Sequence, residues 1–227
     1  MRTVGQLLLC ALLGYLIGGL NPSYILARLN GFDIRGRGSG NAGASNATIT
    51  MGKKAGIFCA LFDILKAYIA VKISIRIYPL IRIAGIIAGV CCILGHIFPI
   101  MMNFHGGKGL ASLGGMILAY DAKIFMALLI IELVVVLATD YICFVPTSGS
   151  ILFTLILLVQ CGVACAVAFS PVVVTVFAKH MENFRRIRYG VEARVSYLWN
   201  KSEEENRLQC NWDKLSEEEQ QSFASGY

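Results

Sequence analysis

Apolar runs of membrane-spanning length alternate along this chain with short polar clusters rich in glycine. Seven apolar segments can be drawn, at about residues 3–28, 53–76, 79–101, 109–120, 122–140, 147–169 and 170–182. A bilayer's hydrocarbon core takes about 20 helical residues, so 109–120 and 170–182 read as short or partial spans. The pattern predicts an all-α polytopic membrane protein, a seven-transmembrane-helix bundle. Residues 4–29 are too long for a signal peptide and lack its small-residue cleavage site, so they read as the first span. Three of the breaks are expected near Tyr78 and Pro79, Tyr120 and Asp121, and Ser170 and Pro171.

Some polar groups fall inside these runs. Asp63, Lys66, Lys72 and Glu132 are costly in lipid and are expected to face the bundle or water. Asp63 and Lys66 are three apart, on one helix face, and are expected to form a supporting ion pair. Glycines in the runs, Gly85 and Gly89 among them, suit close packing of helices within the chain.

Composition agrees. Hydrophobic residues make up 56% of 227, too many for one soluble core to hide. Charge divides the chain into a membrane region, residues 1–194, and a tail, 195–227. The first carries 17 Lys/Arg against 7 Asp/Glu, and the second 3 against 7. The cations sit in membrane loops, which fits the positive-inside rule better than nucleic-acid binding. With an external N-terminus, the loops 29–52 and 101–108 and the chain beyond Ala178 all face the cytoplasm. The acidic tail reads as a cytoplasmic appendage without chemistry, in which Ser216 and Glu219 form a capping box that starts a short helix. Eight cysteines, none in a CxxC pair, read as small hydrophobes in apolar runs.

Three polar clusters carry candidate chemistry. The first holds Gly38, Ser39, Gly40, Asn41, Gly43, Ser45 and Asn46 between two apolar segments. Such a loop can turn backbone N–H groups toward an anion, with a following helix N-terminus adding its dipole. Its G-x-G-x-x-G spacing is not a dinucleotide fingerprint, because no strand precedes it. The second joins His96 to Gly106, Gly107, Lys108 and Gly109, an anion cradle with a point charge. It is no Walker A loop, since Gly109 stands where Ser or Thr is needed. The third follows the last apolar run. There His180 and Asn183, at i and i+3, share a helix face that Arg186 continues, and Glu192 lies beyond. No paired histidine ligands, HExxH or Ser-His-Asp arrangement is visible, so no metal or other cofactor is implied. Two anion cradles and a His/Asn pair suggest phosphate-bearing substrates held at the membrane face.

In these clusters the chain resembles the PlsY family, bacterial acyl-phosphate:glycerol-3-phosphate acyltransferases, over residues 4–194. The resemblance implies a seven-helix bundle in the bacterial inner (plasma) membrane with a cytoplasmic active site. It implies transfer of an acyl group from acyl phosphate to the 1-hydroxyl of glycerol 3-phosphate, giving lysophosphatidic acid and phosphate for phospholipid synthesis. The expected partners are these two substrates and membrane lipids, with no obligate protein partner. By resemblance, the loop of Ser39 and Asn41 cradles a phosphate and Lys108 neutralises phosphate charge. His180 and Asn183 orient the acceptor, Glu192 supports them, and His96, Asp63 and Lys66 are supporting. Either a substrate phosphate or His180 takes the hydroxyl proton.

Two positions depart from the family pattern. Ile49 stands where an arginine is usual, and Cys143 where a serine is usual. Both missing groups are phosphate contacts in the family. The rival readings are therefore a weakly active or inactive homologue that binds lipid phosphates, and a small phosphometabolite transporter. A transporter should show internal repeats, and none is convincing here.

Overall fold

A computed structural model describes residues 2–224, and every regular element among them is helical. The α-helices are α1 (Arg2–Gly19), α2 (Pro22–Leu29), α3 (Ala44–Met51), α4 (Lys53–Ile77), α5 (Ala84–Ile97), α6 (Leu110–Tyr120), α7 (Ala122–Thr139), α8 (Phe144–Cys161), α9 (Val163–Arg188), α10 (Lys201–Trp212) and α11 (Glu217–Ala224). Among the described residues, five helical stretches are long and apolar enough to cross a membrane: Thr3–Leu29, Ala84–Met102, α7, α8 and α9. α4 has the length, at 25 residues, but carries charge inside the bundle. α6 has only 11 residues. The chain is a multi-pass helical membrane protein.

Its exterior is apolar. Ile57, Leu61, Leu65 and Ile69 form an exposed stripe down α4, and Leu129, Ile130, Leu133, Val134 and Leu137 do the same on α7. A water-soluble bundle would place polar groups on these faces; here they meet lipid. α5 is the central helix, with Ile93 and Ile97 packed in one core with Phe153, Phe169, Val172 and Val176. α1 lies directly on α5. A Cβ at Gly14 or Gly18 would fall 2.2 or 2.0 Å from the carbonyl oxygens of Ala88 and Cys92. Only glycine permits that approach, which gains backbone dispersion contacts without help from the hydrophobic effect. Gly85 and Gly89 likewise serve contacts within the chain, facing Ile75 and Met116.

One break is added and one is displaced. The expected first span is interrupted at Leu20 and Asn21, where Asn21 caps α2 by accepting the Tyr24 N–H at 2.9 Å. The break expected at Ser170 and Pro171 is the interior of α9, which is 26 residues long and not a partial span. Pro171 cannot bond the Val167 carbonyl, but the Ser170 hydroxyl donates to that oxygen at 2.8 Å. The chain turns instead at Gly162, whose φ of +85° suits glycine.

The tail is helical and packs on the membrane region. α10 and α11 fold against the end of α9, and Phe223 is buried beside Tyr189 and Trp212. The capping box is present, with the Glu219 N–H donating to Ser216 Oγ at 3.3 Å and the Ser216 N–H donating to Glu219 Oε2 at 2.9 Å.

Candidate active site

A buried ion cluster sets the frame beneath the polar face. The Lys66 ammonium on α4 lies 2.6 Å from Asp63 Oδ1 and 3.0 Å from His96 Nδ1, and donates to the Leu20 carbonyl at 2.8 Å. His96 Nδ1 also lies 3.3 Å from Asp63 Oδ1, so the three buried side chains form one cluster. They tie α4 and α5 to the break after α1, in the supporting role expected of Asp63, Lys66 and His96. Tyr15 adds a hydroxyl donated to the Phe98 carbonyl at 2.6 Å, closing the end of α5.

The first glycine loop is built largely from its own polar groups. Asn46, fully buried, accepts the Ser39 N–H at 2.8 Å and donates to the carbonyls of Ile34 and Arg37 at 3.0 and 2.9 Å. The Gly40 N–H donates to the Arg37 carbonyl at 3.1 Å. Asn46, expected to contact phosphate, is therefore a staple of the loop. Gly38 is needed because a Cβ would lie 2.2 Å from Asn46 Oδ1. Asn21 donates to the Ala42 carbonyl at 2.8 Å and joins the loop to the α1–α2 break. Ser45 is exposed on α3, as is Ile49, and neither lines the cleft described below.

The second loop departs further from the expected cradle. The Gly106 and Gly107 N–H groups donate to the Ile97 and His96 carbonyls at 3.0 and 3.1 Å, continuing the end of α5. They are not offered to an anion. These positions are glycine because a Cβ at Gly107 would sit 2.1 Å from His96 Nε2, and one at Gly106 equally close to the His96 carbonyl oxygen. The result aims Lys108 at the cleft. Gly109, at φ +88°, then opens α6 with no side-chain cap, placing an uncapped helix N-terminus beside Lys108.

Arg35 fastens the two loops together. It forks onto Asp33, with Nε to Oδ1 at 3.0 Å and Nη2 to Oδ2 at 2.7 Å, and donates from Nη1 to the Met102 carbonyl at 2.8 Å. The guanidinium holds the Asp33 carboxyl at about 2, well below the usual carboxylate range.

The third cluster completes the constellation. The Lys108 ammonium donates to Asn183 Oδ1 at 2.6 Å, and Asn183 Nδ2 donates to Glu192 Oε1 at 2.6 Å. Glu192 thereby sets which end of the amide faces the lysine. Burial pulls the Lys108 pKa down, and Glu192 opposes the shift. Burial pushes Glu192 up. His180, buried one turn before Asn183, donates from Nδ1 to the Val176 carbonyl at 2.8 Å, so the neutral ring keeps its basic nitrogen at Nε2. Arg186 pairs with Glu182 at 3.3 Å on the same stretch. The Cys143 thiol, where a serine was expected, is pushed to about 11 by burial and by Glu192. It stays neutral.

A cleft of about 600 Å³ joins the three clusters, lined by Asp33, Arg35, Gly36, Gly40, Asn41, Asn103, His105, Gly106, Lys108, Lys179 and Glu182. Of the expected residues, Gly40, Asn41, Gly106 and Lys108 face it. Asn183 and Glu192 reach it through Lys108, while Ser39 and Gly43 flank its wall in the chain. Sequence reasoning missed Arg35, Lys179, Glu182 and His105 as site residues. Lys179 precedes His180 and stacks its ammonium over Phe98 at 5.0 Å; a cation so close to a candidate histidine was the available signal. The polar side chains that face the cleft include cations and amides, while several loop N–H groups are engaged within the protein.

The comparisons with known proteins agree on one family. The model of glycerol-3-phosphate acyltransferases matches residues 8–190. A glycerol-3-phosphate acyltransferase of Clostridioides difficile is 35% identical over 196 residues, 83% of this chain and 95% of that protein. One of Bacillus subtilis is 31% identical, covering 84% and 98%. Among solved structures, PlsY (YgiH), an integral membrane glycerol 3-phosphate acyltransferase in its glycerol 3-phosphate form, is 28% identical. It superposes with a TM-score of 0.77 over 85% of this chain and 96% of its own. The lysophosphatidic acid form gives 0.73 over 83% and 94%.

Proposed function

Because the chain belongs to the glycerol-3-phosphate acyltransferase family, we propose that it moves a fatty acyl group from acyl phosphate to the 1-hydroxyl of sn-glycerol 3-phosphate, in phospholipid synthesis. The observation that carries the reading is the Lys108–Asn183–Glu192 chain opening onto a cleft walled by Asn41, Arg35 and Lys179. Acyl phosphate is a mixed anhydride and already activated, so the site has mainly to hold two anions together and orient a hydroxyl. The acceptor oxygen attacks the acyl carbon and the bond from that carbon to the phosphate oxygen breaks. Inorganic phosphate leaves with its bonding pair. Lys108 and Lys179 balance the charge of the phosphates, and Asn183, aligned by Glu192, orients the acceptor. The hydroxyl proton passes to the departing phosphate or to His180 Nε2.

The cations of the cleft side support placing it on the cytoplasmic face of a bacterial plasma membrane. Cys210, exposed on α10, tests that placement. Labelling it with an impermeant maleimide should need broken cells, and labelling of intact cells would reverse the orientation.

Ile49 and Cys143 favour a second reading, a homologue of weak activity. Supplying the purified chain with acyl phosphate and glycerol 3-phosphate decides between them. Lysophosphatidic acid and phosphate should appear in equal amounts; no product under conditions where the Bacillus subtilis relative turns over would sink the enzyme reading.

A further inference from the structure

The family match ends at residue 190, yet the chain beyond it folds back onto the site. α10 carries Glu204, only 5% exposed, and Arg207 one turn later. Arg207 uses all three nitrogens. Nε and Nη2 donate to the Glu204 carboxylate at 2.7 and 2.6 Å; Nη1 donates to the Gly190 carbonyl at 2.6 Å; Nη2 also reaches the Glu192 carbonyl at 2.8 Å. Asn211 donates to the same Gly190 carbonyl at 2.9 Å, and Glu204 accepts the Arg194 N–H at 2.9 Å. From the α7–α8 connection, Asp140 binds the N–H and hydroxyl of Ser196 at 2.9 and 2.7 Å.

The Arg207 and Asn211 bonds meet on the 190–192 turn, which leaves α9 through Gly190 at φ +71° and belongs to no regular element, while Glu204 and Asp140 hold the chain just after it at Arg194 and Ser196. The Gly190 and Val191 N–H groups close it onto the Ile187 and Arg186 carbonyls at 3.0 and 2.9 Å, and its own carbonyls at Gly190 and Glu192 are held by Arg207. The same turn carries the Glu192 carboxylate that aligns Asn183, which in turn receives Lys108. From this connectivity we infer that Arg207, in an extension outside the family region, is a positioning residue for acyl transfer. By clamping the 190–192 turn it holds Glu192 against Asn183 and so sets the Lys108 ammonium at the cleft. The inference rests on the acyltransferase reading of that cleft. An arginine suits the task because a planar fork can bind a carboxylate and two carbonyls together, which an ammonium on a flexible stem does poorly. Glu204 neutralises it, so the clamp adds no free cation to compete with Lys108 for an anionic substrate.

The test uses the full chain, with R207A and R207K compared against the unmodified protein. Misplacing a reacting group by about 1 Å can cost roughly a hundredfold, so R207A should lower kcat/KM about tenfold to a hundredfold. R207K should recover part of that loss. Amide exchange should quicken across residues 190–196 in R207A while α5 keeps its protection, separating release of the turn from general unfolding. Quicker exchange in R207A with wild-type kcat and KM would overturn the inference. If R207A cannot be recovered folded, R207K decides: a several-fold loss supports the clamp and wild-type kinetics overturn it. Absence of product from the unmodified chain would instead refute the acyltransferase reading, and this inference with it.

Discussion

Replacing Lys108 by methionine removes the ammonium and keeps the length of the stem. In the folded protein that ammonium donates to Asn183 at 2.6 Å and faces the cleft. A hydrogen bond to a charged group is worth about 1.5–3 kcal/mol. A preorganised donor aimed at charge developing in the transition state is worth roughly 10²–10³ in rate. Both effects belong to one group and do not add, so kcat/KM should fall about 10²–10³-fold in K108M. Stability should barely change. The lysine is partly desolvated, which draws its pKa down, and an apolar replacement removes that penalty along with the bond. The pH dependence of KM tests the same charge. A bound phosphate favours the ammonium, so affinity is full at low pH and is lost as pH rises through the lowered Lys108 pKa. K108R stays protonated throughout and should abolish this alkaline rise in KM, whatever its kcat. The assay follows lysophosphatidic acid and phosphate release from purified full-length protein, with thermal unfolding in parallel. Activity of K108M within about threefold of wild type, or an unchanged alkaline rise in K108R, would remove Lys108 from the substrate's charge balance.

Other perturbations test the scaffold. Gly107→Ala drives a Cβ into the His96 ring; overpacking of this kind costs about 1–3 kcal/mol, and the loss in unfolding temperature should shrink when His96→Ala opens space. Equal losses in both backgrounds would mean the contact is not the cause. Asp33, held at about 2 against its usual 3.8, stabilises the Arg35 clasp above pH 3.8, and that contribution fades as pH falls toward 2. The gap in unfolding temperature between wild type and Asp33→Asn should close over that window; parallel curves would count against the clasp. Ile49→Arg adds a cation to the exposed face of α3, and if it reaches substrate KM should fall about tenfold. An unchanged KM would leave the role of the missing arginine with Lys179.

Much of the site was legible in the sequence because its residues occur in three compact polar runs between apolar ones. The Asp63–Lys66 pair, the Lys108 setting and the His180–Asn183 face follow from residue type and spacing, while the place of Glu192 beside them came from the family resemblance. The misreadings share a cause. Gly106 and Gly107 read as N–H donors to an anion, but the end of α5 needed those N–H groups for its own carbonyls. Asn46 read as a ligand, but its amide is taken up by the Ser39 N–H and the carbonyls of Ile34 and Arg37. Ser170 and Pro171 read as a turn, but a neighbouring hydroxyl repaired the bond that the proline removed. In each case a polar group out of reach of water had to be satisfied within the protein, and its partner was not apparent from hydropathy.

The class of protein was readable from local composition. Long apolar runs can be accommodated only in lipid, and in lipid a backbone must form helices or closed barrels, so a multi-pass helical protein with polar connections follows from local composition. The tertiary structure alone decided which polar groups meet. Lys108 to Asn183 spans 75 residues, Lys66 to Leu20 spans 46, and Arg35 to Met102 spans 67. Hydropathy is a property of short windows, whereas a hydrogen bond depends on where two helices cross. That is why an acidic tail that looked inert proved to grip the turn carrying Glu192.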